Sequence, residues 1–159
     1  MNIALFVAFL VTSVGAVVLS AWTCGDTHWL ENGASSIGIW RNCAGGTCEY
    51  IDSGDGGRTA AAFLILACFP LSSLAIMTMT NRKNEKGWFP IFAAVSFSIS
   101  AVFILIAVAT YGGTYANSNL LSQGYNLGYS YGLACGGLGL CLIGIVLGFA
   151  SKGGQEQIG

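Results

Sequence analysis

The sequence predicts an all-α transmembrane fold: a four-helix bundle carrying a small extracellular antiparallel β-sheet. Three observations carry that reading. Charged residues make up 8% of the 159 residues, while apolar residues reach 54%; soluble proteins carry about 25% charge. So few charges cannot cover a globular surface in water, whereas a surface in lipid needs none. The charges are also confined. Asp26, Glu31, Arg41, Glu49, Asp52, Asp55 and Arg58 lie between Trp22 and Thr59; Arg82, Lys83, Glu85 and Lys86 form a second cluster; Lys152 and Glu156 lie near the end. Between the clusters run four uncharged apolar segments. Each has about 20 residues or more, the length a helix needs to cross roughly 30 Å of hydrocarbon.

The first segment is Ile3–Trp22. A signal peptide is the competing reading. It is disfavoured because no positive charge precedes the apolar run, the run is long, and Leu19-Ser20-Ala21 is a weak cleavage site. The other segments are Thr59–Thr80, Trp88–Gly112 and Asn126–Ala150, leaving outer loops of about 23–58 and 113–125. The whole chain then forms a single four-span membrane domain. Pro70 should bend the second helix, and Pro90 sits in a first turn, where proline is tolerated. Small residues recur every four positions in the first segment, at Ala4, Ala8, Thr12, Ala16 and Ser20, and in the fourth at Gly128, Gly132, Gly136, Gly144 and Gly148, broken only by Leu140. Lipid supplies no hydrophobic drive between helices, so close packing must hold them, and small residues permit it. These stripes predict that the first and fourth helices pack together within one bundle. An oligomer interface is the other use of such stripes.

Orientation follows from the basic residues. The Asn81–Gly87 loop and the tail carry four Lys/Arg, and the long loop after the first span carries two, with five acids. The positive-inside rule therefore places both termini in the cytoplasm, with the acidic loop outside, in what is expected to be the plasma membrane.

That placement decides how Cys43-Ala44-Gly45-Gly46-Thr47-Cys48 is read, because paired cysteines outside the cytosol usually oxidise. Gly45-Gly46 suits a two-residue hairpin turn with positive φ at both centres. Ala44 and Thr47 then close the turn, and Cys43 and Cys48 face each other one step out, within disulfide reach. Zinc would need four ligands, and the only histidine is His28. A redox motif would have two residues between its cysteines, not four. Ser36–Trp40 and Glu49–Ile51 read as flanking strands. Cys24 has no evident mate, and its state stays open. Cys68, Cys135 and Cys141 lie within helices and read as buried small apolar residues.

Trp29, then Gly38-Ile39-Trp40, then Cys43, Cys48 and Arg58 together resemble the signature of the claudin superfamily. That group includes claudins, peripheral myelin protein, epithelial membrane proteins, lens fibre membrane protein and calcium-channel gamma subunits. Trp40-Arg41-Asn42-Cys43 is most similar to the myelin and epithelial membrane branch, as is the segment from Gly128-Tyr129-Ser130-Tyr131 onward. The cysteine spacing and outer loop are shorter than is usual for a claudin, and the tail lacks the Tyr-Val ending that binds scaffold domains. Asn-x-Ser/Thr is also absent. These departures point away from a tight-junction claudin within the superfamily.

The resemblance implies a structural or adhesive membrane protein that assembles laterally or across membranes through its extracellular loops. An auxiliary, gamma-like subunit of a larger membrane channel is the alternative, and a claudin-type paracellular barrier or cation pore the third. The partners implied are membrane lipid and either a second copy or another membrane protein. Net charge −1 disfavours nucleic acid. The segments hold no Asp, Glu, Lys, Arg or His, the usual marks of ion and proton paths. Neither a phosphate loop nor a nucleophile–base set is legible, with His28 read as standing alone. The expectation is therefore no enzyme activity, no cofactor, no metal and no small-molecule substrate. Trp29 and Trp40 are expected to anchor the sheet at the membrane surface, Arg58 to close the sheet on a helix end or pair with Asp52 or Asp55, and Tyr50 and Tyr115 to meet partners.

Overall fold

The computed structural model describes residues 3–51, 54–81 and 87–156. Four long helices dominate it: α1 (Ile3–Gly25), α2 (Gly54–Asn81), α3 (Phe89–Ala116) and α4 (Tyr129–Glu156). All four are long and apolar enough to cross a membrane. α1 packs on α2 and α4, and α3 packs on the same two, so the helices form a ring. Large apolar side chains such as Val11, Val18, Ile76, Leu105 and Val146 point outward. In water that surface would be a severe liability; in lipid it is the normal solvated face.

The core is built from alternating bulk and absence of bulk. Phe9, Leu64, Leu71, Leu74, Phe97 and Ile104 fill the centre, and Ala16, Ala60, Ala67, Ala93 and Ala107 let the backbones approach. Buried hydroxyls need partners away from water, and most find them one turn back in their own helix. Ser13 donates to the Phe9 carbonyl at 2.7 Å and Thr78 to that of Leu74 at 2.8 Å. Ser100 also bonds across helices, to the Ala67 carbonyl at 3.2 Å. α2 continues through Pro70, and Pro90 occupies the first turn of α3.

Every helix outruns the apolar segment that predicted it at one end or both. α1 continues to Gly25, α2 begins at Gly54, before Thr59, and α4 continues past Ala150. α3 extends to Ala116, so residues 113–116, expected as loop, complete its last turn. Hydropathy marks where lipid ends, and the helical hydrogen bonds continue beyond it. Asn126–Leu127, expected at the start of the fourth span, is instead a strand.

The sheet sits at one end of the bundle and contains β1 (Leu30–Glu31), β2 (Ser35–Ile37), β3 (Arg41–Ala44), β4 (Thr47–Tyr50) and β5 (Asn126–Leu127). Its order is β4-β3-β2-β1-β5, and every pair is antiparallel. Four strands come from the first loop. The fifth comes from the second loop, so the sheet ties the two loops together. Ser36–Trp40 is not one strand: pairing stops at Ile37 and restarts at Arg41. Gly38 to Trp40 form the corner between, bridged where the Gly38 N–H donates to the Arg41 carbonyl at 2.7 Å.

The first and fourth helices pack together, as the stripes predict, but not along the whole of each stripe. Ala16 and Ser20 are buried, whereas Ala4 is exposed and Ala8 half-buried. On α4 the glycines serve several neighbours. A Cβ at Gly144 would run into the Phe97 ring of α3, and one at Gly148 would lie 2.9 Å from the Ala94 Cβ. Gly128 lies against the strand β1 region, Gly136 only reaches Leu19, and Gly132 faces open space. A spacing of four residues drifts around a helix of 3.6 residues per turn, so a long stripe cannot keep facing one partner.

Candidate interaction face

Trp29 pins the sheet to the bundle. Its side chain is fully buried, and its indole N–H donates to the Thr23 carbonyl at 2.6 Å, satisfying a carbonyl of the last turn of α1. Its ring packs on Tyr111 of α3 at 4.6 Å and on Tyr131 of α4 at 6.1 Å between centroids. Trp29 is therefore a core residue, neither an exposed contact nor a membrane-surface anchor. Trp40 differs, with 41% of its surface exposed. Cys24 is half-buried and unpaired with any other cysteine.

Gly38-Ile39-Trp40 divides its labour. A Cβ on Gly38 would collide with the Asp26 carbonyl oxygen and the Thr27 Cα, so the corner rests on the chain leaving α1. Ile39 is fully buried beneath it. The register then places Cys43 opposite Cys48 and Ala44 opposite Thr47, as the spacing predicts. Gly45 and Gly46 have φ of 59° and 84°, and Cys43 and Cys48 form a disulfide with Cα atoms 4.1 Å apart. The turn and bridge make a rigid tip on a strand pair too short to hold itself together.

All four residues of β4 are exposed, and β4 is a free edge of the sheet. Tyr50 at its end is 79% exposed. It is held in place nonetheless: the Arg41 guanidinium donates to its hydroxyl at 2.9 Å and stands 4.9 Å over its ring centroid. Tyr115 is less exposed than Tyr50. It is half-buried at the end of α3, and its hydroxyl donates to the Tyr125 carbonyl at 2.6 Å. Tyr125 in turn shares a 2.6 Å hydrogen bond with Ser35. Tyr115 thus braces the second loop against the sheet. Arg58 is exposed near the start of α2, three residues after Asp55; Asp52, its other expected partner, lies outside the described residues.

His28 is not isolated. Its Nδ1 lies 3.4 Å from Asp26, 3.2 Å from the Tyr129 hydroxyl and 3.3 Å from the Thr27 hydroxyl. Its ring stacks on Tyr129 at 4.9 Å. The Ser130 hydroxyl donates to Asp26. Burial acts to raise the Asp26 pKa, but hydrogen bonds from Ser130, Tyr129, His28 and the Thr27 backbone outweigh it and hold the carboxyl below its ordinary 3.8. A serine, a histidine and an aspartate meet here, yet not as a proton relay. Ser130 bonds straight to the carboxylate, whereas catalysis needs the imidazole between the two. The cluster is a lock: Asp26 leaves α1 and Ser130 opens α4. Beside it the Gly128 N–H donates to the Trp29 carbonyl at 2.8 Å, and a Cβ on Gly128 would collide with the His28 carbonyl oxygen. Sequence spacing could not reveal this, since the partners lie about a hundred positions apart; the run Gly128-Tyr129-Ser130 was the only trace.

The four cysteines outside the disulfide are also sorted by position. Cys141 is buried and Cys68 half-buried, but Cys135 faces outward from α4, against the expectation of burial. Among the described residues no group of three or more His, Cys, Asp or Glu could hold a metal ion.

Comparison with known proteins matches residues 1–147 to a family model described as the PMP-22/EMP/MP20/Claudin family. Epithelial membrane protein 1 of Rattus norvegicus is 30% identical over 115 residues, covering 69% of this chain and 72% of that protein. The Oryctolagus cuniculus protein of the same name is 29% identical over 140 residues, covering 82% and 84%. Lens fiber membrane intrinsic protein of Rattus norvegicus is 29% identical over 109 residues, covering 63% and 62%.

Proposed function

The chain belongs to the PMP-22/EMP/MP20/Claudin family, and on that premise we propose that it is a structural and adhesive membrane protein, without enzyme activity, that assembles through its sheet-bearing face. One observation carries the proposal: β4 is an open sheet edge whose last residue, Tyr50, is exposed yet already ordered by Arg41. An unpaired edge offers backbone hydrogen-bonding groups to another chain, and a pre-ordered aromatic loses little entropy when it is covered. The partner is a second copy of the chain or another membrane protein, met in the same membrane or across a gap between two. A paracellular barrier or cation pore would be built from the same contacts.

The test is assembly state after extraction in mild detergent. Tyr50→Ala should weaken association about 30-fold or more, the loss expected for a hot-spot aromatic, and leave thermal unfolding of the monomer unchanged. Wild-type assembly by the variant would reject this face.

A second reading has its own observation. Gly132, Cys135 and Gly136 are exposed on α4, and among the described residues nothing lies within 4 Å of where a Gly132 Cβ would be. Small residues facing lipid leave room for a helix of another membrane protein, as an auxiliary subunit requires. If Gly132→Leu abolishes assembly while Tyr50→Ala does not, recognition runs through the bilayer and this reading replaces the first.

A further inference from the structure

The register of the sheet sorts its residues onto two faces. Leu30, Ile37 and Asn42 lie in one row across β1, β2 and β3. Leu30 is buried in the core and Ile37 packs against it, so this face meets the bundle. Glu31, Ser36, Cys43 and Cys48 form the adjacent row. Successive residues of a strand point to opposite faces, so this second row looks away from the bundle. Arg41 and Tyr50, two residues along β3 and β4, share that outer face. A hollow of about 290 Å³ lies on it, lined by Glu31, Ser36 and Cys43, with His28 on one side and Gly45 and Gly46 on the other. We propose that this hollow receives the Arg41 guanidinium of a second copy of the chain, with Glu31 as its counter-charge.

The occupant follows from an unmet charge. Oε1 of Glu31 is buried, and no described residue donates a hydrogen bond to it. A buried carboxylate oxygen without a donor is costlier than a neutral acceptor in the same state. Asp26, the neighbouring acid, is already served by Ser130 and His28. No Lys or Arg occurs from Thr23 to Trp40, so the missing cation comes from elsewhere. A guanidinium suits the place because its fork presents parallel N–H donors to a carboxylate, and the Ser36 hydroxyl lies on the same lining. The volume is at the lower end of the roughly 300–1,000 Å³ of ligand pockets, room for one side chain. One rim is held in shape, since Asn32 Oδ1 accepts from the Ala34 N–H at 3.2 Å and the Ser35 N–H at 3.0 Å. Of the two basic residues in the first loop, Arg58 belongs to α2, whereas Arg41 is exposed on the outer face. Tyr50 takes only one of its several N–H donors. Within its own chain Arg41 stands two strands from Glu31, about 10 Å across the sheet, and is turned toward Tyr50 on β4. Because both groups lie on one face, a two-fold axis between them pairs Arg41 of each copy with Glu31 of the other, and the contact closes with two copies. That face looks away from the bundle, so the copies meet head to head across a gap between membranes.

This inference rests on the proposed assembly through the sheet-bearing face, and its test separates the two. The full-length protein is reconstituted in phosphatidylcholine vesicles, and clustering of the vesicles is followed by light scattering. Wild-type vesicles should cluster. Glu31→Gln keeps the shape of the side chain and should raise the protein density needed for clustering about tenfold or more, the effect of losing a close charge pair. Glu31→Arg and Arg41→Glu each set like charges against one another, so vesicles bearing either variant alone should stay dispersed. Mixing the two populations should restore clustering, because each variant supplies the charge that the other has lost. Dispersed wild-type vesicles, wild-type clustering by Glu31→Gln, or a mixture of folded variants that stays dispersed overturns the pairing. Where a charge-reversed variant does not fold, Glu31→Gln decides alone. Loss of clustering with Glu31→Gln but not with Arg41→Gln assigns the hollow to another cation and overturns Arg41 as its occupant. In each of these cases weaker association of Tyr50→Ala in detergent leaves the assembly reading standing, and wild-type association removes both.

Discussion

Gly38 is the residue on which the sheet's position depends. Its neighbours are the backbone of Asp26 and Thr27, atoms that cannot rotate aside as a side chain would. Gly38→Ala should therefore lower stability by about 1–3 kcal/mol, the cost typical of overpacking, seen as a drop in the thermal midpoint in detergent, with the disulfide still formed. Asp26 makes a prediction of the opposite kind, through its charge. Its folded pKa lies below the ordinary 3.8, so the folded state favours the carboxylate. That contribution is complete above 3.8, and it is lost as pH falls through the ordinary value toward the depressed one. Acid unfolding curves should thus fall over that window, and Asp26→Asn should flatten the fall while lowering stability at neutral pH. A variant with an unchanged acid limb would remove Asp26 from the lock between α1 and α4.

At the scale of elements, one helix shows two uses for glycine. Gly144 and Gly148 seat α4 on α3, whereas Gly132 faces outward. Gly144→Leu should force the Phe97 ring from the core and destabilise the isolated monomer by about 1–3 kcal/mol. Gly132→Leu should leave the monomer's thermal unfolding within about 0.5 kcal/mol of wild type, as a surface change does. Equal losses from both would mean that α4 is rotated from the position described. The β3–β4 hairpin is the element most dependent on covalent help. Its residues are largely exposed, so burial contributes little, and the Cys43–Cys48 bridge with Gly45-Gly46 holds the tip. Pairing β5 with β1 ties the second loop to the sheet, so the one buried tryptophan beside β1 fixes both loops at once.

For the whole molecule, the positions of the aromatics agree with the charges. Trp22 and Trp40 are exposed near the sheet end and Trp88 at the other, the two levels at which tryptophan settles in a bilayer. The positive-inside rule expects the sheet outside and the basic loop inside; epitope tags on either terminus should then be inaccessible to antibody on intact cells and become accessible after permeabilisation. Surface labelling of either tag would invert the topology and move the disulfide hairpin into a reducing compartment.

What the sequence determined by itself was whatever depends on composition along a line. Four uncharged runs specify four spans because each length of lipid must be crossed by a continuous apolar helix. Cys43, Gly45, Gly46 and Cys48 specify their hairpin because turn geometry is local. What only the tertiary structure decided was everything that joins distant positions. Trp29 became a buried pin because Tyr111 and Tyr131 meet it, and Tyr115 became a brace because Tyr125 accepts its hydrogen bond. His28 joined a cluster because Tyr129 and Ser130 return to it, and the glycine stripe divided between neighbours as α4 turned. The physical reason is common to all four. A residue's period and type state what it tolerates, whereas its partner is set by how the helices close around the core, and that closure is a property of the whole chain.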